Sequence, residues 1–355
     1  MNFPSLVIIT SFMRKGFLWP FLSLVLAVVA VVLVIVTVNE RWRHVKDVQT
    51  LTIKLRELSQ KKSPRFTRKL LGVEEPLIFI GGVLESGTTL LRTMLDFHPD
   101  IRCGKETVII TSVLYMREQW ANNHLLEVAS SSGVTQQSLD DASSAFISEI
   151  ITKHDVMAKR LCNEEPYSAA FMVFLNRMFT NSKHILMIRD ARATIYSMTK
   201  RNMSIAGYNR TNFPQMFEMW NVQLTKMINM CMTVKESCLI VFYERLIQRT
   251  ESDARRILKF LDVPWSDDVI QLQKIDAKET LNRNETSTSQ MKVNAHMKSL
   301  TSWFGFFSNN TLDKLDKLAP LLKKLGYDTS SHEPNYTIFT VDDFYEKLDF
   351  SKLFR

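Results

Sequence analysis

Between Pro76 and Arg92 the chain reads as a strand, a small-residue loop and a helix. Leu77 to Ile80 is an apolar run, Gly81 and Gly82 break it, and Glu85-Ser86-Gly87-Thr88-Thr89 makes a tight loop. Leu90, Leu91, Met94 and Leu95 then recur at helical spacing. Such a unit aims backbone N–H groups and a helix N-terminus at an anion. Glu85 sets a negative charge in the middle of that cradle. Two more apolar runs follow, Ser182 to Asp190 and Cys238 to Glu244. Each precedes a helical segment, at Ala191–Arg201 and Ser252–Leu261. Strands alternating with helices predict an α/β fold with a central parallel sheet flanked by helices. Its ligand belongs at the C-terminal ends of the strands.

The remainder is coarser. Residues 109–161 read as mainly helical, with a break at Ser130–Gly133. Met, Trp and Leu at helical spacing over 214–235 read as core packing. Residues 276–298 are polar and irregular, and Thr311–Leu325 predicts a helix closed by Gly326.

Residues 17–38 carry no charged side chain. That is about the 20 residues a membrane-spanning helix needs, and too long for the apolar core of a cleaved signal. The expected organisation is a cytosolic tail over 1–16, a transmembrane signal anchor over 17–38, a charged stem over 39–73 and a lumenal domain over 74–355. Basic residues flank both sides of the anchor, so charge alone does not orient it. Sequons at Asn202, Asn209, Asn284, Asn309 and Asn335 favour a lumenal C-terminal part. So do the four cysteines, Cys103, Cys162, Cys231 and Cys238. In an oxidising compartment they suggest two disulfides, with three pairings open. No metal-ligand cluster is visible. The formal net charge of +8 suits an anionic ligand or surface.

The loop Gly82-x4-Gly87-Thr88-Thr89 has the spacing of a nucleotide-triphosphate loop, with Thr88 in place of the lysine. The backbone cradle survives without its point charge, which argues against an NTPase or kinase. Arg189, at the end of the second apolar run, and Ser197, along the next helix, are placed to meet a phosphate monoester. A salt bridge from Arg189 to Asp190 is the structural alternative.

From about Pro76 to Tyr336 the chain resembles the Golgi protein-tyrosine sulfotransferases, type II membrane proteins. The motifs that carry the resemblance are Leu95-Asp96-x-His98-Pro99, Arg102-Cys103-Gly104-x-Glu106-Thr107 and Leu161-Cys162-Asn163-x-x-Pro166. Further along come Leu186-Met187-Ile188-Arg189-Asp190, Ile205-Ala206-Gly207-Tyr208, Ser287-Thr288-x-Gln290 and Leu325-Gly326-Tyr327-Asp328. The resemblance implies a P-loop-like sulfotransferase fold. It implies transfer of a sulfuryl group from 3′-phosphoadenosine 5′-phosphosulfate (PAPS) to tyrosines of secretory or membrane proteins. It further implies a homodimer, no metal and no nucleic acid. Ser86, Gly87, Thr88 and Thr89 would hold the 5′-phosphosulfate, and Arg189, Ser197 and Arg201 the 3′-phosphate. Tyr243 would contact the nucleotide and Glu106 would be the catalytic base. Ser287 would help stabilise the transition state, while Thr288, Ser289, Gln290 and His296 belong to a segment wrapping the nucleotide. The implied disulfides are Cys103–Cys162 and Cys231–Cys238.

The departures fall on charged positions. Glu85 stands where the family has a loop arginine, and Glu164 where it has a transition-state lysine. Val108 and Ser112 replace arginines that bind acidic acceptor residues, Ser302 replaces a late nucleotide-binding lysine, and Lys105 replaces an acid. Two alternatives therefore stand beside tyrosine sulfation: a catalytically impaired paralogue that binds nucleotide or a partner subunit, and a glycan sulfotransferase.

Overall fold

Five short runs build the floor of the domain: β1 Ile78–Gly82, β2 Ile101–Cys103, β3 Arg160–Glu164, β4 Lys183–Ile188 and β5 Cys238–Phe242. In the computed structural model the described residues are 74–122, 124–154, 158–203, 209, 211–271, 297–348 and 350. They lie within one unit, Leu70–Arg355. All five strands run parallel in the order β2-β3-β1-β4-β5. β1 and β4 are buried almost throughout, which is why they read as continuous apolar runs rather than alternating ones.

β1 is central: the chain passes from it to the edge strand β2, returns to β3 beside β1, then crosses to the other side for β4 and β5. That crossing makes the carboxyl ends of β1 and its neighbours the switch point, where open α/β sheets bind ligands. The helix α1 Thr88–Asp96 follows β1. Helices α2 Ile109–Asn122, α3 Leu125–Ser131 and α4 Gln136–His154 separate β2 from β3. α5 Met172–Met178 leads into β4, and α6 Ala191–Lys200 leaves it. α7 Phe213–Thr233 is the longest of the described helices, and α8 Tyr243–Gln248 and α9 Thr250–Phe260 follow β5.

α7 shows why its sequence is helical. Asn212 caps it by accepting a bond from the Gln215 N–H, and Pro214 sits in the first turn. Met216, Phe217, Trp220, Leu224, Met227, Ile228 and Cys231 form one buried stripe at three- and four-residue intervals. The methionine-rich face is core, as its spacing indicates.

Three expectations are corrected. Among the described residues five strands are present rather than three: β2 is only three residues long, and β3 begins inside the stretch read as helical. Tyr243 opens α8 instead of closing a strand. The expected helix over Thr311–Leu325 is three short turns, Asn309–Leu312, Leu315–Leu318 and Leu321–Lys324. Pro320 forces Ala319 out of the helical region, to φ −140° and ψ 64°. Gly326 does close the last turn, at φ 88°.

Cys103 bonds to Cys162 and Cys231 to Cys238, the pairing the resemblance implies. Among the described residues no helix is long and apolar enough to cross a membrane. The expected tail, anchor and stem, residues 1–73, lie outside the described residues.

Candidate active site

The loop after β1 is shaped by two left-handed residues, Glu85 at φ 66° and Gly87 at φ 97°. Gly87 is required: a Cβ there would stand 2.3 Å from Cδ2 of Tyr243. The loop is thus pressed against the first residue of α8, and the backbone N–H groups that open α1 follow immediately. Ser86 is 2% exposed, and its hydroxyl has no partner among the described residues. Thr88 is buried beside it, and Thr89 lends its carbonyl to the Thr93 hydroxyl at 2.8 Å. A buried hydroxyl and a set of helix-opening N–H groups fit an anionic oxygen cluster.

Arg189, at the C-terminal end of β4, closes the cradle. Its Nη1 donates to the Glu85 carbonyl at 2.9 Å and its Nη2 to the Ser299 carbonyl at 3.3 Å. Its guanidinium lies 4.4 Å from the centre of the Tyr243 ring, a cation–π contact. Its Nε is buried without an acceptor among the described residues. The alternative salt bridge to Asp190 is absent from these contacts, because Asp190 serves Arg192. The Arg192 backbone N–H, Nε and Nη2 reach it at 2.8, 3.0 and 2.7 Å. Asp190 thereby caps α6 and fixes the helix that carries Ser197 and Arg201.

Those two residues meet Glu85. The Ser197 hydroxyl donates to Glu85 Oε2 at 2.7 Å, and Arg201 Nε lies 3.2 Å from the same oxygen. The Glu85 side chain is 8% exposed. The second reversed charge is matched too. Glu164, at the end of β3, faces Arg92 of α1, with Oε2 3.8 Å from Nε. Each acid that departs from the family pattern is therefore paired with a specific guanidinium.

Glu106 is exposed, in the segment between β2 and α2. Its charge is felt by Tyr167, whose hydroxyl is pushed up to about 12. Burial is the main cause there, a hydrogen bond with Gln223 opposes it, and Tyr115 and Glu106 add to the rise. Sequence reasoning missed what holds this segment. Glu165, 1% exposed, accepts from the Thr107 hydroxyl at 2.6 Å, and from the Thr111 N–H and hydroxyl at 2.7 Å each. From the residue just after β3, its carboxylate thus satisfies an N–H in the first turn of α2. Its only sequence signal was a second acid directly after Glu164.

A buried polar network backs the cradle. Glu244 accepts from the Asp190 N–H at 2.9 Å and from the Tyr327 hydroxyl at 2.8 Å. The Tyr336 hydroxyl donates to Asp190 at 2.9 Å and accepts from Trp303 Nε1 at 3.0 Å. Tyr243 shares a hydrogen bond with Ser299 at 2.8 Å. Ser302, three residues on, is exposed. Ser287, Thr288, Ser289, Gln290 and His296 lie outside the described residues, as does Asn284. Asn202, Asn209, Asn309 and Asn335 are exposed.

Residues 76–267 match the sulfotransferase family. A Caenorhabditis briggsae protein whose name places it provisionally among the protein-tyrosine sulfotransferases is 48% identical over 281 residues, 78% of this chain and 98% of that one. Protein-tyrosine sulfotransferase 2 of Gallus gallus is 41% identical over 268 residues, 74% of this chain and 72% of the relative. Protein-tyrosine sulfotransferase 1 of Homo sapiens is 38% identical over 304 residues, 84% and 81% of the two chains.

Proposed function

The chain belongs to the protein-tyrosine sulfotransferase family, and we propose on that footing that it moves a sulfuryl group from PAPS to the phenolic oxygen of protein tyrosines. The observation that carries this reading is the convergence of Ser86, Gly87, Arg189 and Tyr243 around one cradle at the carboxyl ends of β1, β4 and β5. A phosphosulfate set against Ser86–Thr89 meets helix-opening N–H groups, with Arg189 beside them. Those donors face the oxygens on which charge grows as the sulfur–oxygen bond to phosphate breaks. Tyr243 and Arg189 form a flat wall for the nucleotide, and Arg189, Ser197 and Arg201 receive the 3′-phosphate.

Free tyrosine ionises near pH 10, so the attacking oxygen must lose its proton as it bonds to sulfur. Glu106 takes that proton, and 3′,5′-ADP departs. Ser287 assists at the sulfuryl group, and Thr288, Ser289, Gln290, His296 and Ser302 enclose the nucleotide. In this reading the protein is a homodimer of the Golgi membrane, held by residues 17–38 with its catalytic part lumenal and glycosylated. Paired cysteines and sequons support that placement.

The test is transfer of labelled sulfate from PAPS to a tyrosine peptide library by the purified full chain. Label on tyrosine that disappears in Glu106→Gln is the expected result. Absence of label on every peptide, with 3′,5′-ADP still bound, would favour the impaired paralogue; label on glycans alone would favour the third reading.

A further inference from the structure

Glu85 and the face of α6 opposite it form a closed ion pair inside the cradle. Ser197 and Arg201 are one helical turn apart, so they present a hydroxyl and a guanidinium side by side. That is a pair of donors for a charged oxygen group, and the group accepting from it is the Glu85 carboxylate. The fit is not incidental to the loop. Glu85 holds a left-handed backbone, unfavourable for a side chain with a Cβ, and its carbonyl is fastened to Arg189. With the main chain held at that carbonyl, the carboxylate can leave Ser197 and Arg201 by side-chain rotation alone.

We propose that the Glu85 carboxylate is a built-in competitor for the Ser197–Arg201 anion site, so that a nucleotide seats its 3′-phosphate there only by displacing it. The proposal rests on the reading above that this pair receives the 3′-phosphate. A carboxylate and a phosphate ask for the same donors and repel each other at close range, so the pair cannot serve both. Part of the binding energy of the 3′-phosphate is therefore spent on breaking an existing charge-assisted pair. A nucleotide without that phosphate leaves the pair intact. Glu85 in this way sets how strongly the chain discriminates between nucleotides with and without a 3′-phosphate.

Calorimetry on the full chain in detergent, with 3′,5′-ADP and 5′-AMP, tests this. Glu85→Gln should tighten 3′,5′-ADP about tenfold or more and leave 5′-AMP within about twofold. Glu85→Gly, which suits the left-handed backbone, should do the same and guards against a folding defect. Arg201→Gln in the Glu85→Gln background should remove the gain. If both Glu85 variants bind 3′,5′-ADP no tighter than the wild type, while Arg201→Gln still erases the 3′-phosphate preference, the competition is wrong and the site reading survives. If Arg201→Gln and Ser197→Ala leave that preference untouched in the Glu85→Gln background, the site reading falls and the proposal with it.

Discussion

Arg92 Nε stands 3.8 Å from the Glu164 carboxylate, and the two side chains are 3% and 2% exposed. Arg92 also reaches Asp96, one turn along α1, at 3.2 Å. A carboxylate on β3 is thus held against a guanidinium on the helix that follows the cradle. Restoring the cation of the family pattern at 164 would place two like charges together away from water. Glu164→Lys should destabilise the fold by about 3–5 kcal/mol, the usual cost of breaking a buried pair. Thermal melts of Glu164→Lys, Glu164→Gln and wild type check this; the lysine variant should melt lowest. An unchanged melting temperature for the lysine variant would refute the pairing.

Gly87→Ala should abolish nucleotide binding. The left-handed backbone alone costs about 1–2 kcal/mol for a residue with a Cβ, and the Tyr243 ring stands in its way. Tyr243 is itself buried, so Tyr243→Ala lowers the melting temperature on its own, but it should cost less in the Gly87→Ala background than in the wild type because the clash is gone. Equal costs in the two backgrounds would mean that the close approach is not the cause.

Glu165→Ala strands three donors, on Thr107 and Thr111, that hold the segment carrying Glu106. We expect kcat for sulfate transfer to fall by about tenfold or more while the dissociation constant of 3′,5′-ADP moves less than twofold. Glu165→Gln keeps one acceptor oxygen and should retain more activity. Equal losses of turnover and nucleotide affinity would mean the residue is a general fold support.

Much of the cradle was legible in the sequence because its elements are buried apolar runs punctuated by glycine or charge. β1 and β4 are of that kind. β3 was not legible: Arg160, Asn163 and Glu164 make a polar strand, and Asn163 and Glu164 are buried in it. Strand propensity carries no signal of such buried polar groups. Sequence also named Glu85 and Ser197 separately. That they bond to each other, 112 residues apart, depends on a left-handed residue in the loop, which no local pattern encodes.

Glu244 makes stability fall with rising pH. Burial is the main reason its carboxyl is pushed up to about 7 from 4.5; the Asp190 charge raises it further, while bonds from the Asp190 N–H and Tyr327 hydroxyl pull it down. The folded state therefore holds this proton more tightly than the unfolded chain. Its contribution is complete below about pH 4.5 and is lost as pH climbs to about 7. The lowered carboxyls of Asp100, Asp316 and Asp328 act below the ordinary value of 3.8, outside that window. His184, pushed down by burial to about 3 from 6.5, raises stability with pH up to about 6.5 in wild type and Glu244→Gln alike, so the difference between the two proteins isolates Glu244. Between pH 5 and 8 the melting temperature of the wild type should drop more than that of Glu244→Gln. Parallel curves for the two proteins would contradict this.

The Cys103–Cys162 bond joins residues that face each other in the β2–β3 register. Glu106 comes three residues after one sulfur, and Glu164 and Glu165 two and three after the other. The loop between β1 and α1 lies on neither flank of that bond. Without that bond the β1–α1 loop would keep its own strand and helix, while β2 and β3 would lose the covalent tie between the two segments that lead to Glu106 and to Glu165.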